Sequence, residues 1–270
     1  MHAPGKIIEP DMLMLAYRSG IFPMADSRDD PEVFWVEPRL RAILPLDGFR
    51  CSRSLARTLR RGRLRVTCNA AFAAVMEACA APHRDTAETW ISAKIAASYR
   101  ALHAEGRAHS IECWMPDPQG GPDLLAGGLY GVGFDRVFCG ESMFSRVPDA
   151  SKVALAWLVA ALRRAGAALL DCQFMTEHLA TMGAVEISQA DYLERLAAAQ
   201  RSTVGDAAGA ALGAAFGAAL GDALGDGPEV GAGAALSLPE GFGALLADAA
   251  AAGLSSSPGN FIAQSLTQTS

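Results

Sequence analysis

The six cysteines, Cys51, Cys68, Cys79, Cys113, Cys139 and Cys172, include no C-x-x-C pair, and none has a histidine at zinc-ligand spacing. The five histidines, His2, His83, His103, His109 and His178, never fall at ligand spacing among themselves. A zinc module and a disulfide scaffold are thereby excluded; no metal and no cofactor are expected, and the cysteines read as reduced thiols of a cytoplasmic protein. No stretch approaches the ~20 uninterrupted apolar residues of a membrane span. The segment MHAPGKIIEPDM lacks the apolar run of a signal peptide, so neither membrane insertion nor export is expected. A glycine-rich pyrophosphate loop between a strand and a helix is also missing: RVPDASKVA stands before the longest helical pattern instead. Finally, acidic residues vanish between Asp47 and Glu77 although the chain carries a net charge of -6, while Arg50, Arg53, Arg57, Arg60, Arg61, Arg63 and Arg65 fill that interval.

What is present is a 270-residue chain with 51% apolar residues, enough for a sizeable core. PDMLMLAYRSG predicts a first helix closed by Gly20, and residues 21–46, rich in proline and aromatics, predict irregular chain with short strands. These make a small N-terminal domain over 1–48. Over 49–200 the signals alternate. Helices are expected at 52–62, 69–80, 92–106, 149–166, 176–183 and 188–200, with Asn69, Ser92 and Ser188 as caps. Strands are expected at 64–68, 110–115, 168–174 and 185–188, and 124–134 with 137–145 form a hairpin turning at Asp135 and Arg136. The class is α+β with a mixed sheet. Residues 201–254 collapse to Ala, Gly, Asp and Leu and predict a flexible segment, since each glycine costs a helix ~1 kcal/mol relative to alanine. Phe261, Ile262 and Leu266 suggest that the tail over 255–270 docks on the core.

Several blocks occur together and in order: AYRSGIFPM, FWVEPRLRAILP, SRSLARTLRRG, ETWIS, AHSIECW, GGLYGVGFDRVFCGESMFS, ASKVAL and LDCQF. On these the chain resembles the leucyl/phenylalanyl-tRNA-protein transferases. The resemblance implies a small N-terminal domain followed by a GCN5-related acyltransferase-like (GNAT-like) domain. It implies transfer of Leu or Phe, less readily Met, from aminoacyl-tRNA to proteins with N-terminal Arg or Lys, marking them for N-end rule degradation. Two features depart from the family pattern: the Ala/Gly-rich stretch after Arg201, and a single tryptophan where a double one is commoner.

The chemistry asks little. An aminoacyl-tRNA is an activated ester, so the enzyme must align an amine with a carbonyl and manage one proton. By strand alternation Asp171 and Gln173 share a face, where the carboxylate can accept the amide's N–H and leave the amide oxygen to meet the incoming amine. By resemblance they are the family's catalytic pair. Glu141 is a candidate for the substrate's basic side chain or for the ammonium of the transferred residue. Leu129, Phe138, Leu155 and Leu158 match the family's apolar pocket, and Trp35 and Trp90 its aromatic residues near the terminal adenosine. Arg53, Arg57, Arg60 and Arg61 can share one side of a helix and hold tRNA phosphates without reading sequence. His109 and Ser110 are adjacent in a strand and face opposite ways, which argues against a catalytic triad. The rivals are an acyl-CoA-dependent N-acetyltransferase, which lacks its pyrophosphate loop here, and a non-catalytic RNA-binding protein, which leaves LDCQF and the GESMFS block unexplained.

Overall fold

The structure, a computed structural model, describes residues 7–81, 89–201 and 236–267. The chain opens with helix α1 (Pro10–Arg18) and the short strands β1 (Phe22–Met24) and β2 (Phe34–Val36), which pair with each other alone. A seven-stranded sheet follows, ordered β4-β5-β6-β7-β8-β3-β9. Its strands are β3 (Leu40–Ile43), β4 (Arg65–Cys68), β5 (Ala108–Met115), β6 (Leu124–Phe134), β7 (Val137–Ser145), β8 (Leu169–Gln173) and β9 (Val185–Ser188). Every neighbouring pair is antiparallel except β7 with β8, which are joined through helix α5 (Ala150–Arg164). The expected α+β class and mixed sheet are therefore observed. Strand β3, which the sequence reading grouped with the N-terminal segment, is hydrogen-bonded between β8 and β9.

The remaining helices are α2 (Arg53–Arg61), α3 (Phe72–Cys79), α4 (Ala93–Ala104), α6 (Glu177–Thr181), α7 (Gln189–Gln200), α8 (Leu238–Ala251) and α9 (Pro258–Thr267). Two core layers result. One gathers Leu129, Phe138, Leu155, Leu158 and Trp157 with the buried faces of α2, α8 and α9; the other gathers Tyr17, Phe22, Tyr99, Tyr130 and Tyr192 with those of α1, α3, α4 and α7.

Local signals are mostly obeyed. Ser52, Ser92 and Ser188 accept the backbone N–H groups of Leu55, Ile95 and Asp191, and Gly20, Gly62 and Gly106 take positive φ at the helix ends. Asn69 is a correction. Helix α3 starts three residues later, and Asn69 bonds across to β5 instead, accepting Ser110 N–H at 2.9 Å and meeting His109 Nδ1 at 3.0 Å. The N–H groups of Ala70 and Ala71 are met by the buried carboxylate of Glu112, a longer-range partner that local spacing does not reveal.

The flexible reading of 201–254 is corrected over its last part. Helix α8 packs along α5, with the Trp157 and Phe242 rings 5.2 Å apart and Gly241 facing the carbonyl of Ala161 where a Cβ would sit only 2.6 Å away. Burying Phe242 supplies roughly 1.5–3 kcal/mol, which offsets the helix cost of Gly241 and Gly243. Tertiary packing overrode propensity here. Residues 202–235 of that stretch, like His2 and His83, lie outside the described residues. The tail does dock: Gly259 sits against the carbonyl of Leu59, and Ile262, Ala263 and Leu266 are buried. None of the described helices is long and apolar enough to cross a membrane.

Candidate active site

The parallel pairing of β7 with β8 ends at Cys139 and Asp171. Beyond that point the strands part, and a cavity of about 260 Å³ occupies the opening, lined by Gly140 to Met143 from one strand and Cys172 to Phe174 from the other end. Leu129, Leu155, Leu158, Leu170 and Leu179 form its apolar wall, and Met24 of the N-terminal segment and Trp90, just ahead of α4, add to the lining. Most of its lining is therefore hydrocarbon, with a few polar groups converging on one side.

Glu141 reaches the cavity through a bulge. Tyr130 pairs with Ser142 and Gly131 with Gly140, so Glu141 has no cross-strand partner and the strand is re-aimed there. Glycine is required on the facing strand, where a Cβ on Gly131 would lie 2.5 Å from the Phe138 ring. Its carboxylate is buried and held by three donors: Oε1 accepts Tyr17 O–H at 2.7 Å and Gln173 Nε2–H at 3.0 Å, and Oε2 accepts Tyr99 O–H at 3.0 Å. Burial pushes its pKa up to about 7, with the three hydrogen bonds opposing and the charge of Asp171 adding to the rise.

Asp171 does other work. It is fully buried and does not line the cavity. Arg41 grips it with two bonds, Nε to Oδ1 at 2.9 Å and Nη2 to Oδ2 at 2.6 Å, while Tyr192 O–H donates to Oδ2 at 3.0 Å. The guanidinium is sandwiched between the rings of Phe22 and Tyr192, 4.7 and 4.4 Å from their centroids, and bonds the carbonyl of Gly20. Asp171 Oδ1 also accepts the backbone N–H of Gln173 at 2.8 Å. That bond holds Gln173 at φ 62, a left-handed conformation rare for a long side chain, and so aims its amide at Glu141. The expected pairing is thus amended: the amide N–H of Gln173 goes to Glu141, and Asp171 receives its backbone instead.

The other candidates separate. Leu129, Leu155 and Leu158 line the cavity, but Phe138 lies wholly in the core beside Gly131 and does not. Trp90 lines the cavity; Trp35 sits on β2, partly exposed and away from the lining. Arg53, Arg57, Arg60 and Arg61 all line a second groove of about 470 Å³, which Cys51 and Thr267 complete. Among the described residues none of these four arginines has a carboxylate within salt-bridge distance. Residues that the sequence reading missed are Arg41, Tyr17, Tyr99, Tyr130 and His178. The arginine in RLRAI, an isolated charge inside a strand pattern, was the readable signal for the first; nothing local marks the tyrosines. Burial pushes the Cys172 thiol far above its ordinary range, so it stays protonated. No group of three His, Cys, Asp or Glu gathers into a metal site among the described residues.

The model of the leucyl/phenylalanyl-tRNA protein transferase family matches residues 43–197, and that of the family's N-terminal domain matches residues 7–39. A leucyl/phenylalanyl-tRNA–protein transferase of Novosphingobium aromaticivorans is 65% identical over 264 residues, 97% of each chain. The chain belongs to this family. The transferase of Zymomonas mobilis is 54% identical over 74% of this chain and 72% of its own, and that of Rhizorhabdus wittichii 53% identical over 75% and 79%. Membership makes the chain an aminoacyltransferase, the class that the resemblance implied. Helices α8 and α9 lie beyond the residues that the family model matches, whereas the alignment with the Novosphingobium transferase, over 97% of this chain, extends across them.

Proposed function

We propose that this chain moves Leu or Phe, and less readily Met, from aminoacyl-tRNA to the α-amino group of proteins beginning with Arg or Lys, giving them an apolar N-terminus that marks them for N-end rule degradation. The observation that carries this reading is the narrow apolar cavity at the parting of β7 and β8, with Gln173 and Glu141 at its polar side. At about 260 Å³ it is smaller than the ~300–1,000 Å³ of sites for whole drug-sized ligands, and suits one amino-acid side chain. The apolar wall makes no fixed hydrogen-bonding demand, so it accepts Leu, Phe and Met and penalises polar side chains that lose water without compensation.

In this reading Trp90 stacks near the terminal adenosine, and the groove of Arg53, Arg57, Arg60 and Arg61 holds acceptor-stem phosphates. The Gln173 amide donates to Glu141 and turns its oxygen toward the incoming amine, while Asp171 and Arg41 fix the backbone that carries it. The amine attacks the ester carbonyl, the ribose oxygen leaves, and alignment supplies most of the acceleration.

The acetyl-CoA reading meets an obstacle at α5. Its N-cap is Asp149, in a left-handed conformation, with Lys152 at 3.4 Å and Thr58 Oγ1 donating to it at 3.3 Å. The Asp149 carboxylate makes no cap bond to the helix, but it sets a negative charge beside the N–H groups that a pyrophosphate would need, and Ser145 Oγ already accepts the N–H of Ser151 there. The test is to incubate the protein with labelled Leu-tRNA and peptides starting with Arg, Lys or Ala. Transfer to the Arg and Lys peptides alone is expected; equal labelling of the Ala peptide removes the assigned acceptor specificity.

A further inference from the structure

Forming an amide from an ester and an amine releases no net proton, yet one has to move. When the amine nitrogen bonds the carbonyl carbon it becomes positively charged, and the ribose oxygen departs as an alkoxide. A group within reach of both must take the first proton and return it to the second.

The cavity offers few candidates. Asp171 lies outside the lining with both oxygens engaged by Arg41. Cys172 and Tyr130 are kept protonated by burial. His178 lines the cavity, but burial and the charge of Lys152 disfavour its taking up a proton, and its Nε2 is enclosed. Gln173 is an amide and binds protons too weakly to act as a base. Glu141 differs from all of these. A carboxylate has about four lone-pair sites, and donors from Tyr17, Tyr99 and Gln173 fill three, leaving one on Oε2.

We infer that Glu141 is the proton acceptor of the transfer step, taking a proton from the amine as the C–N bond forms and returning it to the ribose oxygen as the C–O bond breaks. The inference rests on the transfer reading and adds to it a role for a residue first singled out as a binding group. The groups that face Glu141 are Tyr17 of α1, Tyr99 of α4, Tyr130 of β6, Cys139 of its own strand, and Asp171 of β8, whose charge is answered by Arg41 of β3. No cation touches the carboxylate directly among the described residues, and burial holds it near neutrality, at about 7, where a base works best.

The experiment is single-turnover transfer from saturating Phe-tRNA to an Arg-initiated peptide, followed from pH 5.5 to 9 with the full chain. Two ionisations govern the wild-type rate, that of Glu141 and that of the peptide amine, which has a pKa of roughly 8. The logarithm of the rate is expected to climb with a slope near two below pH 7 and near one between pH 7 and about 8, and to level off above that. Glu141→Gln is expected to lose the steeper limb and about 10²–10⁴-fold in maximal rate, with tRNA affinity unchanged. Glu141→Asp keeps the steep limb at a lower rate. A wild-type profile with one ionisation overturns the inference without any variant. So does a Glu141→Gln enzyme that keeps the wild-type rate and profile at saturating Phe-tRNA and whose only defect, when the Phe-tRNA concentration is varied, is a raised KM for it, the mark of a group that binds the donor's ammonium. Absence of any transfer by the wild type refutes the underlying reading instead.

Discussion

Removing the guanidinium of Arg41 should be among the most damaging single changes away from the cavity. The Arg41–Asp171 pair is bidentate and almost wholly buried, at 1% and 0% exposure, so deleting one charge strands the other. Breaking such a pair costs about 3–5 kcal/mol, against total stabilities of about 5–15 kcal/mol. For a domain of this size that corresponds to a loss of about 6–20 °C in Tm for Arg41→Met or Asp171→Leu. The double variant replaces both charges with hydrocarbon and should recover most of the lost stability, because the stranded charge is gone. Activity should behave differently. The double variant still lacks the acceptor for Gln173 N–H, so the amide is no longer held toward Glu141 and the transfer rate should remain about 10²-fold low. Denaturant unfolding and a peptide-transfer assay on all four proteins test this. Single losses below about 1 kcal/mol, or a double variant that regains full rate, would refute the reasoning.

Glu141 also makes stability depend on pH. Its folded pKa, about 7, lies above the ordinary carboxylate value, so the folded protein binds this proton more tightly and stability from this group declines as pH rises between roughly 4.5 and 7. The full penalty at pH 8 is about 3 kcal/mol; unfolding at pH 5 and pH 8 should show Glu141→Gln gaining on the wild type at the higher pH. Leu155→Phe narrows the apolar wall and should lower kcat/KM for Phe-tRNA at least 10-fold more than for Leu-tRNA, at an overpacking cost of about 1–3 kcal/mol. Arg57→Ala and Arg60→Ala should each weaken tRNA binding and reduce the slope of log affinity against log salt by about 1, which a titration at several salt concentrations reads directly.

The elements that sequence declared well were those whose determinants are local. Caps at Ser52, Ser92 and Ser188, glycine stops at Gly20 and Gly62, and the hairpin through Asp135, which takes φ 48, all depend on neighbours a few residues away. Asn69 and α8 escaped because distant partners decided them: Glu112 took over the start of α3, and the flank of α5 gave a glycine-containing segment something to bury against. The site divides in the same way. Residue types and spacing pointed to Asp171, Gln173 and Glu141. Their division of labour depends on Arg41 arriving from 130 residues away and on a bulge that moves Glu141 out of strand alternation. No periodicity contains either. Phe138 was drawn into the pocket by analogy, whereas β6 packs so closely at Gly131 that the ring fills core.

Helix α5 is covered on both sides, by the sheet and by α8, and nearly every residue from Ala150 to Leu162 is buried. Its outer stripe, including Trp157 and Ala161, is therefore greasy only because the C-terminal pair shelters it. A family member whose chain stopped after α7 would present that stripe to water and would need polar side chains at the same positions. Swapping the α5 sequence between a chain with the extension and one without it should accordingly yield insoluble protein in one direction and a loosened, detachable C-terminus in the other.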